Sequence, residues 1–315
     1  MLNFYNFIDS SIKEINSFQK DCLINLKDPS IEEIEHICDL LNINKSVIIR
    51  MLDVEERSRI DIRDNYLLSV LNVAFKDDND NIDVSPIGML ISNDYFLFVS
   101  NQFINPLTYF ERINNKKDLI ENKINVFIAI AYELSKSYIN YTRNIIKEFE
   151  FLEEKLIISS ENSDMLKVLN LQKTLTFFSM SLYSNDLVIS RLMKLNDKEY
   201  KNILFNFSNI DDELLDDVYT ENKQAIEMVD TYSKIVIDLM NTIASMVANE
   251  QNRFLKLLAN ITILLTIPVI LAGFWGMNSK VPFEGEPAGF WIVVACSMIL
   301  MALATLFLWK KKLLK

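Results

Sequence analysis

Residues 257–279 read LLANITILLTIPVILAGFWGMNS, and residues 287–309 read PAGFWIVVACSMILMALATLFLW. Neither of these 23-residue stretches holds a charged side chain. About 20 apolar residues cross a hydrocarbon core roughly 30 Å thick, whereas a helix at the surface of a soluble domain keeps a charged face for water. Two membrane spans are therefore expected, at about 255–275 and 288–309, joined by an outer loop at 276–287.

Working outward, the charges on either side orient the spans. Arg253 and Lys256 precede the first, and Lys310, Lys311, Lys312 and Lys315 follow the second. The loop between them sets Lys280 against Glu284 and Glu286. Counting positive charges puts both termini in the cytoplasm and the loop outside, in a multi-pass protein of the cell (inner or plasma) membrane. The N-terminus lacks a basic region and small-residue cleavage site, so no signal peptide is expected. The whole chain of 315 residues has a net charge of −11. Residues 1–250 carry 25 basic and 41 acidic groups, a balance of −16, while residues 251–315 carry 7 and 2, a balance of +5. Two different solvents account for that split.

The chain as a whole is half apolar, and the body before the spans has the pattern of a folded domain, not a disordered tail. Its acidity argues against nucleic acid. Cys22, Cys38 and Cys296 form no C-x-x-C pair, and the single His36 shares no helix face with Cys38 two residues on, so no zinc site is expected. No phosphate-binding loop, H-E-x-x-H or nucleophile elbow occurs, so no enzyme is expected either.

Alternating patterns at 47–52, 58–62, 66–75, 82–91 and 95–99 predict strands, with a helix at 31–41 and long helices at 122–158 and 164–195. No Gly or Pro occurs between Lys201 and Ile267. One helix is expected from near residue 208, with Asp211 and Asp212 as first-turn acids, to about residue 272, a length of roughly 100 Å. The fold class is thus α+β with a membrane part: an αβα cytosolic domain at 1–120, a long-helix stalk at 121–250 and a transmembrane hairpin at 251–315.

One stripe of that helix starts at Glu213, Asp217, Thr220 and Gln224 and recurs at alternating spacings of 3 and 4. It passes Asn241, Ser245, Ala248, Asn252, Leu255 and Ala259 and ends at Thr262 and Thr266. Water explains it as far as residue 238. Thr262 and Thr266 fall inside the bilayer, where a polar stripe is better explained by several helices around a water-filled axis.

Beyond Trp275 the first span ends in Gly276-Met277-Asn278, followed by the acidic loop, a second span and a Lys-rich tail. This arrangement resembles the CorA family of magnesium channels, as does RSRIDIRDNYL at 57–67. The resemblance implies a funnel-shaped homopentamer whose first spans line a pore and whose second spans face lipid. It implies a selectivity entrance at Gly276, Met277 and Asn278, the five Asn278 amides accepting hydrogen bonds from a still-hydrated Mg²⁺. It places Asn241, Asn252, Leu255, Leu258, Thr262 and Thr266 along the pore. Rings of Leu255 and Leu258 would gate by dewetting, and Glu284 and Glu286 would concentrate cations at the outer mouth. The implied function is Mg²⁺ uptake down the electrochemical gradient, with Co²⁺ or Ni²⁺ as other cargo. Zinc transport by the same architecture is one alternative, and a non-transporting membrane-anchored receptor is another.

The family also implies a regulatory metal between neighbouring subunits. Asp217 matches one of its acids, with Asp216 and Asp53 nearby, but the second acid's position holds Arg50. Opposite Asp217, an arginine would make an intersubunit salt bridge where relatives hold a metal, so weaker closure by Mg²⁺ is expected.

Overall fold

The structure, a computed structural model, describes residues 1–8, 11–63, 66–78, 80–102, 104, 108, 122–158, 162–196, 210–277, 282 and 287–311. They divide into two compact units, Met1–Leu239 and Met240–Lys315.

In the first unit, strands β1 (Leu2–Ile8), β2 (Ser11–Ile15), β3 (Cys22–Lys27), β4 (Arg59–Ile62), β5 (Leu67–Lys76), β6 (Ile82–Ile91) and β7 (Tyr95–Ser100) form one sheet. Its order is β2-β1-β3-β7-β6-β5-β4. All neighbours are antiparallel except β3 and β7, which run parallel from Cys22 beside Tyr95 to Lys27 beside Ser100. Helices α1 (Ile31–Leu41) and α2 (Lys45–Met51) cover one face. Helices α3 (Lys123–Ile158) and α4 (Asn162–Asn196), with the first turns of α5 (Asp212–Trp275), cover the other. Pleating divides the side chains: Tyr95, Leu97 and Val99 join the α1–α2 core, while Phe96 and Phe98 join the α3–α5 core. With both faces buried, the central strands are continuous apolar runs.

Two expectations need correction. Residues 47–52 are not a strand; Lys45–Met51 is helical. Asn44 caps it, its side-chain oxygen accepting from the Ser46 N–H at 2.9 Å. The apolar run is then read at helical spacing, and Ile48 and Met51 turn onto the sheet. Met51 lies directly over Gly88 of β6, where any Cβ would come within 2.6 Å of it. Also, β1 to β3 extend the sheet by three strands that the alternation did not reveal.

The long helix begins where the acids place it. Asp211 is its cap, accepting the Leu214 N–H at 3.1 Å, and Asp212 opens the first turn. Within the first unit α4 is pinned to the sheet by the buried Asn185. Its oxygen accepts from Ser58 Oγ at 2.7 Å and the Asn72 N–H at 2.8 Å, and its Nδ2 donates to the Asn72 carbonyl at 2.9 Å.

In the second unit the rest of α5 accompanies α6 (Pro287–Lys310). Both helices hold a stretch long and apolar enough to cross a membrane, and little of either stretch is buried in the chain. Pro268 sits inside α5, which deprives the Leu264 carbonyl of its usual helical partner. Trp291 and Trp309 mark the ends of α6 about 27 Å apart at 1.5 Å per residue, close to the thickness of a hydrocarbon core. Such rings favour the two interfaces.

Candidate ion pathway

Helix α5 positions every expected pore residue that the structure describes. At 100° per residue, Asn241, Asn252, Leu255, Leu258, Thr262 and Thr266 fall within an arc of about 120° centred on Leu255. All six are exposed, Leu255 at 58% and Leu258 at 50%. The buried positions of α5 in this unit are Ile243 and Asn260, and within the span Leu264, Ile267, Pro268 and Leu271 are half-buried on the same side. They lie about 120–180° round from Leu255, on the far side of the helix. Helix α6 buries a matching row through Gly289, Ser297 and Leu308. Each helix thus covers one seam and leaves its other faces bare.

That geometry separates the polar residues of the first span by role. Asn260, 6% exposed, belongs to the covered seam and therefore to packing. Thr262 and Thr266 belong to the bare arc. The Thr262 hydroxyl donates to the Leu258 carbonyl at 2.8 Å and that of Thr266 to the Thr262 carbonyl at 2.6 Å. Ser245 does the same to Asn241 at 2.9 Å. With the proton spent backwards along the helix, each oxygen presents lone pairs outward as an acceptor. A row of acceptors suits the water protons of a hydrated cation.

At the end of α5 the winding tightens. The Gly276 N–H donates to the Ala272 carbonyl at 2.9 Å, four residues back, and the Met277 N–H to Phe274 at 3.4 Å, three back. A Cβ on Gly276 would lie 3.2 Å from the Ala272 oxygen, a close contact, whereas one on Gly273 would meet open space. Met277 is exposed. Asn278, Glu284 and Glu286 lie outside the described residues, as do Lys280 and Lys312.

The acids expected at a regulatory metal are not gathered within one chain. Asp216 and Asp217 are exposed on α5, and Asp53 sits in the turn after α2, its carboxylate accepting the Glu55 N–H at 3.0 Å. Among the described residues no group of three or more His, Cys, Asp or Glu could hold a metal. Burial pushes the Cys22 and Cys38 thiols upward, away from the thiolate form that binds metals. Arg50 stands in the last turn of α2, exposed. It borders a cavity that sequence alone did not reveal, because its walls come from segments as far apart as residues 44 and 68.

A family model for the CorA-like Mg²⁺ transporter protein matches residues 21–312. The chain belongs to the CorA family. The cobalt/magnesium transport protein CorA of Methanocaldococcus jannaschii is 27% identical over 283 residues, 88% of this chain and 86% of its own length. The complete structure of the CorA magnesium transporter from that organism superposes with a TM-score of 0.81 at 24% identity, covering 98% of this chain and 96% of the other. The ZntB cytoplasmic domain from Vibrio parahaemolyticus gives 0.60 at 10% identity, covering 78% and 98%. At these identities the superpositions establish the CorA fold: a sheet-and-helix N-terminal domain, a long helix and two C-terminal spans. Membership makes the chain a membrane transporter of divalent cations and not an enzyme.

Proposed function

We propose that the chain is a passive, voltage-driven Mg²⁺ channel assembled as a homopentamer, with Co²⁺ or Ni²⁺ as alternative cargo. The observation that carries this reading is the bare arc of α5, opposite the covered seam and lined with outward-facing acceptors. A polar arc left in lipid is costly; five copies turned towards a common axis convert it into a wet passage. Leu255 and Leu258 would constrict that passage at the cytoplasmic side and break its water column when closed. Gly276, Met277 and Asn278 form the outer entrance, where five amide oxygens receive a hydrated ion. Glu284 and Glu286 raise the local cation concentration, an effect that salt screens. Both termini face the cytoplasm.

Growth of a magnesium-uptake-deficient bacterium tests the proposal. The native chain is expected to restore growth at low Mg²⁺, and Asn278→Ala to fail. Equal rescue by Asn278→Ala removes the selectivity ring and favours a membrane-anchored receptor; zinc accumulation without magnesium uptake favours the zinc reading.

Closure by cytosolic Mg²⁺ is expected to be weak, because Arg50 replaces an acid and the acids at Asp53, Asp216 and Asp217 are dispersed within the chain. Protection from proteolysis that climbs steeply with millimolar Mg²⁺, and disappears in Asp217→Ala, contradicts that expectation.

A further inference from the structure

Three guanidinium groups border a single cavity of about 480 Å³ in the sheet unit. Arg50 comes from the last turn of α2, Arg59 from β4, and Arg63 from the residue after β4. Among the described residues Asp61 is the one acid in the wall. With Asp61 and the Glu56 that pairs with Arg59 counted, one positive charge remains in excess among the described residues, in a segment whose balance is −16 over residues 1–250.

The three arginines are not equivalent. Arg59 is held on both sides, by Glu56 and by Asp61 at 3.1 Å, so its guanidinium is fixed in place. Arg50 and Arg63 are exposed, and within one chain neither forms an ion pair among the described residues, so that a phosphate would compete for Arg50 with Asp217 of a neighbouring subunit. Packing fixes their backbones. Arg50 precedes Met51, which is seated over Gly88, and the Arg63 N–H donates to the Tyr66 carbonyl at 2.9 Å. Like charges brought together on rigid elements repel each other unless an anion joins them. Planar guanidinium forks match the oxygens of phosphate in bidentate pairs.

The cavity exceeds what orthophosphate needs and falls within the range of small-molecule sites. The rest of its wall suits a larger body. Tyr66 offers an aromatic ring, half-buried, and Val47 and the buried Leu68 offer apolar surface. Asn44 adds an amide whose oxygen already serves Ser46, leaving its N–H₂ group to donate.

We propose that this pocket binds a phosphorylated small molecule of nucleotide size, its phosphates on Arg50 and Arg63 and its ring or sugar against Tyr66. The site lies within the sheet unit and does not depend on which cation the membrane unit carries. It introduces a cytoplasmic anion as a second ligand of a cation transporter.

The probe is ADP, titrated calorimetrically into the full chain in detergent, with chelator present so that metal binding does not contribute. ADP is expected to bind in the micromolar to millimolar range and to raise the melting temperature. Adenosine is expected not to bind, and orthophosphate to bind at least about tenfold more weakly, a difference of about 1.4 kcal/mol. Arg50→Gln with Arg63→Gln is expected to weaken ADP at least about a hundredfold, with backbone circular dichroism unchanged. Tyr66→Leu is expected to narrow the gap between ADP and orthophosphate. No ADP binding at millimolar concentration, equal binding by the double variant, or orthophosphate binding as tightly as ADP would each overturn the proposal.

Discussion

Replacing Gly88 by alanine tests how α2 is seated. The added Cβ would stand 2.6 Å from both Cβ and Sδ of Met51 and 2.7 Å from its Cγ. Rotation about χ1 moves the last two away. The Cβ is fixed to the helix backbone, so α2 itself has to lift. Overpacking of a filled core costs about 1–3 kcal/mol, and a contact that no rotamer relieves belongs at the upper end, about 3 kcal/mol. In a unit of this size, residues 1 to 239, each kcal/mol moves the melting temperature by about 2–4 °C. A fall of about 6–12 °C in the calorimetric transition of the sheet unit is expected. Because Met51→Ala keeps the offending Cβ, adding that change is not expected to restore the loss. Full recovery in the double variant would place the conflict at the flexible sulfur end, and a fall of under about 2 °C for Gly88→Ala alone would refute the seating. Arg50 adjoins Met51, so the lifted helix is also expected to weaken ADP.

Three further outcomes follow from other parts of the molecule. Thr262→Val and Thr266→Val remove only back-bonded hydroxyls, so melting is expected to shift by less than about 2 °C, while Mg²⁺ flux falls severalfold in vesicles; unchanged flux would take these oxygens out of the pathway. Asn185→Ala deprives the buried Asn72 backbone and Ser58 of their partners and is expected to cost about 2–4 kcal/mol, measured as lowered denaturant resistance of the sheet unit. Burial raises the Tyr95 hydroxyl from 10.0 to about 12. A raised folded-state value contributes stability that is complete below pH 10 and is lost as pH climbs through about 12. Tyr95→Phe is therefore expected to make the sheet unit less sensitive to alkali in that window, by melting measured against pH.

Sequence was most informative where one period ran long. An uninterrupted run without Gly or Pro is enough to disclose α5, and its 3–4 spacing picks out a stripe whose sixteen positions are all exposed in the folded chain. It failed where a short element admits two periods. Residues 47–52 alternate like a strand, but Asn44 as a cap and the gap above Gly88 decide for a helix, and that gap exists only once the sheet has formed. Strands β1 and β2 escaped because Asn, Ser, Lys and Glu are interspersed among their apolar residues. Asn260 and Thr262 are two positions apart and both polar; only the covering of one seam assigns them to different tasks. The arginine cavity depends on which loops the sheet draws together, which spacing along the chain does not encode.

The aromatic residues at the ends of the hairpin divide the molecule optically. Trp275, Trp291 and Trp309 are the chain's only tryptophans, and all 11 tyrosines precede residue 240. Excitation at the red edge of the absorption band, where tyrosine is dark, therefore reports on the membrane unit alone. Near-ultraviolet dichroism from tyrosine reports on the sheet unit. A ligand of the arginine cavity and an ion in the pathway can be followed in one sample, each by its own chromophore, without a label.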